Sequence, residues 1–219
     1  YDQVKERLAN LQSYFTASSA MSYFTSSNVP LTKDTSKMDV AANSIKSVVT
    51  DYMHEASQSL MQLVGAKGYR SNHIAGRSLV DSRPFQIFEG SNDILYQQIS
   101  ESILKGMKKS KIQNLYQYLK DYSLTSQAAD HFKEQLNFKV DQKIAQRKMV
   151  QLGRAIGRLV TMNMTIQLGE TGFNSDLISN SLKSISNEIE MLVARYSSEP
   201  QPDIITDYQP ESSWAQFLK

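Results

Sequence analysis

Apolar residues recur every three to four positions along almost the whole chain, and this spacing limits the possible folds more than any other feature. Val4, Leu8, Leu11 and Phe15 begin the pattern. Residues three or four apart share one face of an α-helix, whereas a half-buried strand needs alternation. No segment of the chain alternates convincingly. The sequence therefore predicts an all-α protein.

Glycine, proline and polar clusters divide this pattern into separate helices. We predict helices over about residues 2–27, 38–63, 91–105, 112–122, 126–170 and 174–193. The long stretch 126–170 could bend near Asn137 or Lys148. Gly65 and Gly68 end the second helix, because glycine adopts turn conformations that other residues avoid. Asn174 or Ser175 is expected to cap the last one.

A lysine-rich break after Gly106 predicts a junction between two units. We expect a first helical bundle over residues 1–106 and a second helical extension domain over residues 107–219, packed on the first. The tail from Glu199 onward contains three prolines and should be irregular. Its end could be anchored by apolar residues, Trp214, Phe217 and Leu218.

Charge and cysteine content exclude several classes of function. The 219 residues carry a net charge of +2, so the chain as a whole requires neither a nucleic acid nor an anionic membrane. With no cysteine, it has no disulfide, thiolate zinc site or cysteine nucleophile. His54, His73 and His131 lack the spacing of a metal motif, so no metal is expected. No apolar run approaches the roughly 20 residues of a membrane span.

The first residue, Tyr1, is not methionine and already lies within the amphipathic pattern. We therefore expect a fragment or a processed product. The lack of a targeting signal then carries no information about the cellular compartment.

One short stretch places an acid at the end of an apolar run. Residues 85–88, which we expect to be buried, lead to Glu89, then to Gly90 and to Ser91, the predicted cap of the next helix. A helix N-terminus favours a charged carboxylate, whereas an apolar site opposes its ionisation. A tunable general base needs that balance. On these grounds alone, a solvated loop residue or a hydrogen bond to the helix start is the favoured interpretation.

Two motifs resemble those of a known family. Residues 85–95, FQIFEGSNDIL, resemble the signature of the acyl-CoA dehydrogenase family, and of its very-long-chain branch in particular, with Ser91 in place of threonine. Residues 62–69, QLVGAKGY, resemble the family's Gln-x-x-Gly-Gly-x-Gly-Phe/Tyr turn, with Ala66 in place of the second glycine. The helices after Gly106 resemble the C-terminal extension of that branch in order and length.

The resemblance implies oxidation of an acyl-CoA thioester to the trans-2-enoyl-CoA, as in fatty-acid β-oxidation, with FAD as cofactor. Glu89 would be the catalytic base that removes the α proton, and its backbone N–H would help to polarise the thioester carbonyl. Gly90 would leave room for the substrate. Ser91 would contact the nucleotide part of the flavin.

The resemblance also implies partners. Gln62, Gly65 and Gly68 would bind the FAD pyrophosphate of a neighbouring subunit, so a homodimer or higher oligomer is expected. Electron-transfer flavoprotein would accept the electrons. In the family, N-terminal helical and β-barrel domains hold the flavin ring and much of the acyl pocket, so this chain alone should bind FAD weakly and be inactive. The protein is expected to be cytoplasmic if its source is bacterial and mitochondrial if it is eukaryotic.

A set of basic residues leaves alternatives open. On one face of the predicted helix 126–170 they would form a stripe, Lys139, Lys143, Arg147, Arg154 and Arg158. Most such stripes are solvated faces. Relatives of the family suggest membrane attachment or DNA binding instead, although a nucleic acid is not the expected partner. Two rival functions remain: a helical binding module of the same fold without dehydrogenase activity, contacting DNA or a protein, and an acyl-CoA oxidase that shares the base.

Overall fold

Eight α-helices form most of the chain that the computed structural model describes, residues 1–141 and 143–198. They span Asp2–Asn28 (α1), Asp39–Val64 (α2), Ile74–Ser82 (α3), Asn92–Ser110 (α4), Leu115–Leu119 (α5), Ser126–Ala129 (α6), Gln146–Glu170 (α7) and Ser175–Ser197 (α8). Short 3₁₀ helices lie at Gly65–Tyr69, Arg83–Gln86 and Asp130–Phe132.

No strand forms within these residues, where a single isolated bridge pairs Asn114 with Lys139. The prediction of an all-α fold is confirmed. Over the same part of the chain, none of the helices has both the length and the apolar character needed to cross a bilayer.

The sequence pattern of α4 translates directly into packing. Its fully buried residues Tyr96, Ile99, Ile103 and Met107 follow one another at three- and four-residue spacing, so they form one stripe along the helix. α4 contacts α2 on one side and α7 on the other. Burying each large side chain contributes roughly 1.5–3 kcal/mol. The stripe therefore fixes α4, and with it the segment that enters its N-terminus.

α7 is the central helix. It contacts α1, α2, α4 and α8, and most of its residues between Leu152 and Leu168 are buried. Gly153 allows a very close approach to α4, since a Cβ there would lie 1.8 Å from the carbonyl oxygen of Tyr96. Only glycine fits between these two backbones.

α8 closes the bundle against α1. Asn174 caps α8 as predicted, because its Oδ1 accepts from two backbone N–H groups of the first turn at 3.1 and 3.0 Å. Farther along, the side-chain amide of Asn180 donates to the carbonyl of Ala9 at 2.9 Å. The hydroxyl of Ser181 donates to the carbonyl of Ser13 at 3.2 Å. Small polar side chains thus join the two ends of the described chain.

The prediction of a helical stretch over residues 126–170, with a possible bend near Asn137 or Lys148, is wrong because the helix is interrupted by many residues. α6 ends at Ala129, and α7 begins only at Gln146. Part of the intervening backbone pairs with the segment that leads into α5, where the N–H of Leu115 donates to the carbonyl of Phe138 at 3.0 Å. That pairing uses backbone groups that a helix would need for itself.

α4 also runs farther than predicted, through Gly106 to Ser110 instead of ending at Lys105. Tyr118 explains the glycine, since a Cβ on Gly106 would lie 1.9 Å from the hydroxyl of Tyr118. Gly106 is therefore a point of close packing inside a helix.

The hydrophobic core is continuous on both sides of this position and includes residues from Ala17 to Val193. The division into domains 1–106 and 107–219 stays a prediction. The apolar residues expected to anchor the tail, Trp214, Phe217 and Leu218, lie outside the described residues.

Candidate active site

The Glu89 corner, which we define as residues 86–92, connects a 3₁₀ turn to the start of α4. Glu89 has φ of 56° and Gly90 has φ of 89°, so both adopt the left-handed conformation. In the described part of the chain, Lys111 is the only other non-glycine residue with positive φ. For a residue with a Cβ this conformation costs roughly 1–2 kcal/mol. Contacts on both sides of Glu89 must therefore stabilise it.

The corner presents unused backbone donors. Between Glu89 and Ile94, no backbone N–H donates to an acceptor within the described residues. Ser91 takes the predicted N-cap position, but its side chain forms no capping hydrogen bond. Only its carbonyl is used, accepting from the N–H of Leu95 at 3.0 Å. Free N–H groups at the start of a helix attract negative charge or a carbonyl oxygen.

The carboxylate of Glu89 is exposed and has no hydrogen-bond or ion-pair partner among the described residues. The expectation that the preceding apolar run is buried is wrong for this chain. Phe85, Ile87 and Phe88 are 56%, 50% and 67% exposed. The run forms a 3₁₀ turn, in which the N–H groups of Ile87 and Phe88 both donate to the carbonyl of Pro84 at 2.9 Å. This tight turn leaves its large side chains outside the bundle.

Lys46 on α2 stabilises the backbone just after Glu89. Its Nζ donates to the carbonyl of Gly90 at 2.9 Å and to Oδ1 of Asn92 at 3.0 Å. Burial lowers the pKa of Lys46, while the charges of Asp51 and Glu89 oppose that shift. The sequence analysis missed Lys46, because nothing in the spacing of α2 distinguishes it from a solvated lysine.

Asn92, the first residue of α4, is buried and fully engaged. Its Nδ2 donates to the carbonyl of Ser47 at 3.1 Å, to the hydroxyl of Thr50 at 2.9 Å and to Oδ1 of Asp51 at 2.7 Å. An amide with this many partners fixes the direction in which α4 begins.

Asp51, Tyr96, Arg158 and Glu188 form a largely buried group that we call the Asp51 cluster. The hydroxyl of Tyr96 donates to Oδ2 of Asp51 at 2.6 Å and accepts from Nη1 of Arg158 at 3.1 Å. Nη2 of Arg158 lies 3.6 Å from the same carboxylate oxygen. Nε of Arg158 donates to Glu188 at 2.6 Å. Four helices therefore meet through polar side chains: α2, α7 and α8 contribute charged groups, and α4 contributes the neutral phenol of Tyr96.

Burial raises the pKa of Tyr96 above its ordinary value; Arg158 opposes the rise and Asp51 adds to it. Burial likewise raises the pKa of the neighbouring Tyr52, and Glu188 adds to that shift. Both phenols therefore remain protonated hydrogen-bond donors across the physiological range.

The second predicted motif lies at the far end of α2. Gly65 has φ of 68° and ends the helix, and a Cβ added to it would meet no atom within 4 Å. Gln62 and Gly65 are exposed, whereas Gly68 is buried. Gly76, which the sequence analysis missed, packs on this turn so closely that a Cβ would lie 2.6 Å from the carbonyl oxygen of Gly68.

The structure does not bring the two motifs together in one chain. Gln62 follows Lys46 by 16 residues of the same helix. At 1.5 Å per residue, these positions are about 24 Å apart. The turn and the Glu89 corner thus face different surroundings.

The predicted basic stripe does not exist as a continuous surface. Lys139 and Lys143 precede α7, so they share no helical face with the arginines. Arg158 is buried in the Asp51 cluster, and Arg154 pairs with Asp93 on α4 at 2.8 Å. The prediction was wrong because it depended on one helix over residues 126–170.

Residues 143–198 and 1–141 contain no group of three or more His, Asp or Glu side chains arranged to hold a metal ion. The site is thus a helical scaffold that presents one unpaired carboxylate beside free amides.

A family model described as "Acyl-CoA dehydrogenase, C-terminal domain" matches residues 1–104. This match includes both motifs and the Glu89 corner, and it supports the acyl-CoA dehydrogenase family, C-terminal part, for residues 1–104. No curated protein and no solved structure matches the chain.

Proposed function

We propose that this chain is the C-terminal part of an FAD-dependent acyl-CoA dehydrogenase that oxidises acyl-CoA to trans-2-enoyl-CoA, with Glu89 as the base for the α proton. The branch that we propose is the very-long-chain type, in which helices follow the C-terminal bundle. The family match over residues 1–104 supports the general class of enzyme.

The observation that carries the proposal is the conformation of Glu89. A non-glycine residue in the left-handed region, stabilised by Lys46 and Asn92 on its C-terminal side, is a common sign of a functional constraint. Its carboxylate has no hydrogen-bond or ion-pair partner among the described residues, so both oxygens are available to accept a proton from a substrate. A base must reach the proton it removes, and an unpaired carboxylate is available to do so.

The backbone of Glu89 supplies the second requirement. The α proton of a thioester is barely acidic, so the carbonyl oxygen needs hydrogen-bond donors where negative charge develops. The N–H of Glu89 donates to nothing within the described residues and belongs to the same peptide segment as the base. One residue can therefore remove the proton and stabilise the oxygen. Gly90, beside it, carries no side chain that would obstruct the substrate.

The residues proposed for the cofactor also fit it. Ser91 has a hydroxyl that is not used in capping α4, which leaves it free for the nucleotide part of the flavin. Gly65 is exposed, and the space where a Cβ would lie is open, so a phosphate could approach its backbone. When bound, FAD would accept the hydride from the β carbon. Binding of this cofactor by Gln62, Gly65, Gly68 and Ser91 is part of the proposal.

The separation of about 24 Å along α2 supports a homodimer or higher oligomer, in which the Gly65 turn of one subunit serves the flavin of its neighbour. The side chains of Phe85, Ile87 and Phe88 are exposed, and together they form an apolar surface on which another apolar group could pack. We propose that the acyl chain and the N-terminal domains of the same protein pack there. Electron-transfer flavoprotein is the proposed electron acceptor.

The test is rapid anaerobic mixing of the full-length protein with an acyl-CoA while flavin absorbance is followed. Glu89→Gln keeps the size and the backbone N–H but removes the base. Flavin reduction should slow by roughly 10²–10⁴-fold or more, with acyl-CoA binding retained. Glu101→Gln, the same change on the exposed side of α4, is the matched control and should leave the rate unchanged.

Flavin reduction by Glu89→Gln at the wild-type rate would show that Glu89 is a structural residue and that the base lies elsewhere. Absence of flavin reduction in the wild-type protein, with FAD and acyl-CoA bound, would favour a binding module of the same fold. Rapid reoxidation of the reduced wild-type flavin by oxygen would favour an acyl-CoA oxidase.

A further inference from the structure

Arg158 lies outside the part of the chain that matches the family model, yet its side chain reaches into that part. It belongs to α7, and its side chain is only 10% exposed. The guanidinium contacts Tyr96 of α4 at 3.1 Å and lies 3.6 Å from Asp51 of α2. Such a buried cation is costly unless it is paired, and here its pairing crosses between the two predicted domains.

Asp51 uses its two carboxylate oxygens in opposite directions. Oδ2 faces the cluster, where it accepts from Tyr96 and lies next to Arg158. Oδ1 faces the Glu89 corner, where it accepts from Nδ2 of Asn92 at 2.7 Å and from Nε2 of Gln86 at 2.9 Å. One carboxylate thus connects the cation to the corner.

Gln86 and Asn92 bracket Glu89 in sequence, three residues before it and three residues after it. Both are attached to the same oxygen of Asp51. Lys46 adds a second attachment on the C-terminal side by bridging Gly90 and Asn92. The left-handed backbone of Glu89 is therefore stabilised from both ends through Asp51.

We propose that Arg158 is a positioning residue for Glu89, which it orients through Asp51, Gln86 and Asn92. This inference depends on the proposed function, in which Glu89 is the base. The helices after the bundle would then act on the chemical step, because one of them supplies the counter-charge that keeps Asp51 in place.

The physical reason is the cost of an unpaired buried charge. Without Arg158, the Asp51 carboxylate loses the cation beside its Oδ2 and must recruit water or rotate. Either response weakens the bonds from Gln86 and Asn92 and releases the corner. A displacement of about 1 Å in a reacting group reduces a rate by up to roughly 10²-fold.

The primary variant is Arg158→Gln in the full-length protein, with Arg154→Gln as the matched control. Arg154 is one turn earlier on α7 and also pairs with an acid, Asp93 of α4, but it does not contact Asp51. Flavin reduction by acyl-CoA should slow about 10- to 100-fold in Arg158→Gln with little change in KM. Arg154→Gln should retain the wild-type rate, and Arg158→Lys should recover part of the loss.

A second measurement does not depend on turnover. Backbone amide exchange at Ile87, Phe88 and Leu95, whose N–H groups are hydrogen-bonded on either side of Glu89, should be at least about tenfold faster in Arg158→Gln than in Arg154→Gln, because the corner opens more often. Mass spectrometry measures this exchange. Exchange in the middle of α2 should remain equal in the two variants. A general loss of stability would accelerate both regions.

Tyr96→Phe decides the matter if Arg158→Gln does not fold. It removes the hydroxyl between Arg158 and Asp51 and keeps the aromatic ring. Flavin reduction should slow severalfold, with faster exchange confined to the hydrogen-bonded amides of Ile87, Phe88 and Leu95.

Wild-type rates and wild-type exchange in the folded Arg158→Gln and Tyr96→Phe proteins would overturn the positioning role. If Glu89→Gln is still slow, the proposed function survives that result. If Glu89→Gln reduces the flavin at the wild-type rate, both proposals fail together.

Discussion

The Glu89 corner and the Asp51 cluster each centre on a carboxylate, and their surroundings are opposite. Glu89 is exposed, without a partner among the described residues, on a strained backbone. Asp51 lies in regular helix, with a side chain only 13% exposed, and receives hydrogen bonds from Gln86, Asn92 and Tyr96. The first arrangement leaves the Glu89 carboxylate available for chemistry. In the second, both oxygens of the Asp51 carboxylate are occupied by hydrogen bonds that stabilise the fold.

The comparison shows that two different residues supply the unpaired carboxylate and the rigid backbone of this corner: Glu89 carries the free carboxylate, and Asp51 holds the backbone around it. The side chain of Glu89 needs no partner to hold the residue in position, because the side chains of Gln86 and Asn92 on either side of it donate hydrogen bonds to Asp51. A carboxylate paired directly with Lys46 would be equally rigid but occupied. The three predictions below test this division on the described fold.

The largest expected effect is on folding stability. Asp51→Asn leaves Arg158 without one of its carboxylates and should lower the free energy of unfolding by about 3 kcal/mol, the lower end for a broken buried pair, since Glu188 remains. Glu89→Gln should change it by less than about 0.5 kcal/mol, as at other exposed sites. Urea unfolding of both variants gives the comparison. Equal losses would show that the two carboxylates do not differ as described.

The next effect is the loss of stability at alkaline pH. Tyr52 and Tyr96 have folded-state pKa values raised chiefly by burial, whereas unfolded tyrosine titrates near 10. Above about pH 10 the unfolded chain releases protons that the folded chain retains, so stability falls as pH rises, by up to about 1.4 kcal/mol per pH unit for each buried phenol.

Unfolding measured at several pH values between about 9 and 11 checks this slope. Tyr52→Phe should make it shallower, whereas Tyr69→Phe, at a side chain 85% exposed, should not alter it. An unchanged slope in Tyr52→Phe would contradict the assignment of the loss of stability to buried phenols.

The sequence predicted those features that depend on contacts between residues close together in the chain, and it missed those that depend on contacts between distant segments. The helices α1, α2, α4 and α8 were predicted within a few residues, because helical spacing and caps such as Asn174 are local properties. At the Glu89 corner, a short motif predicted that α4 begins after Ser91, but it did not predict that Phe85, Ile87 and Phe88 are exposed. The break between α6 and α7 was missed, since it follows from pairing with Leu115, which no local pattern records.

The Asp51 cluster could not be predicted for the same reason. Asp51 and Arg158 are separated by more than one hundred residues, and each is an ordinary polar residue within its own helix. Arg158 was expected on a solvated stripe with Lys139 and Lys143. Only the crossing of α7 over α2 and α4, which Gly153 makes close, brings the charges together.

The smallest predicted effect concerns strain at Glu89. Glu89→Gly relieves the left-handed conformation, which costs roughly 1–2 kcal/mol with a Cβ, but adds freedom to the unfolded chain worth roughly 0.5–1 kcal/mol. The net result should be a stabilisation of about 0.5 kcal/mol, measured by urea unfolding. Glu89→Ala is the control and should give no gain, because alanine has a Cβ. A loss of stability in Glu89→Gly would show that the corner is not strained.

The packing of α8 on α1 has a consequence for how the protein is made. The hydroxyls of Ser13 and Ser181, hydrogen-bonded at 3.4 Å, are separated by 168 residues. At roughly 5–20 residues per second on a ribosome, α1 is complete for about 7 to 30 s before synthesis of its partner helix begins. During that interval the face of α1 that will meet α8 has no partner, and the side chains there that later hydrogen-bond to α8, Asn10 and Ser13, give other nascent chains little apolar surface to bind.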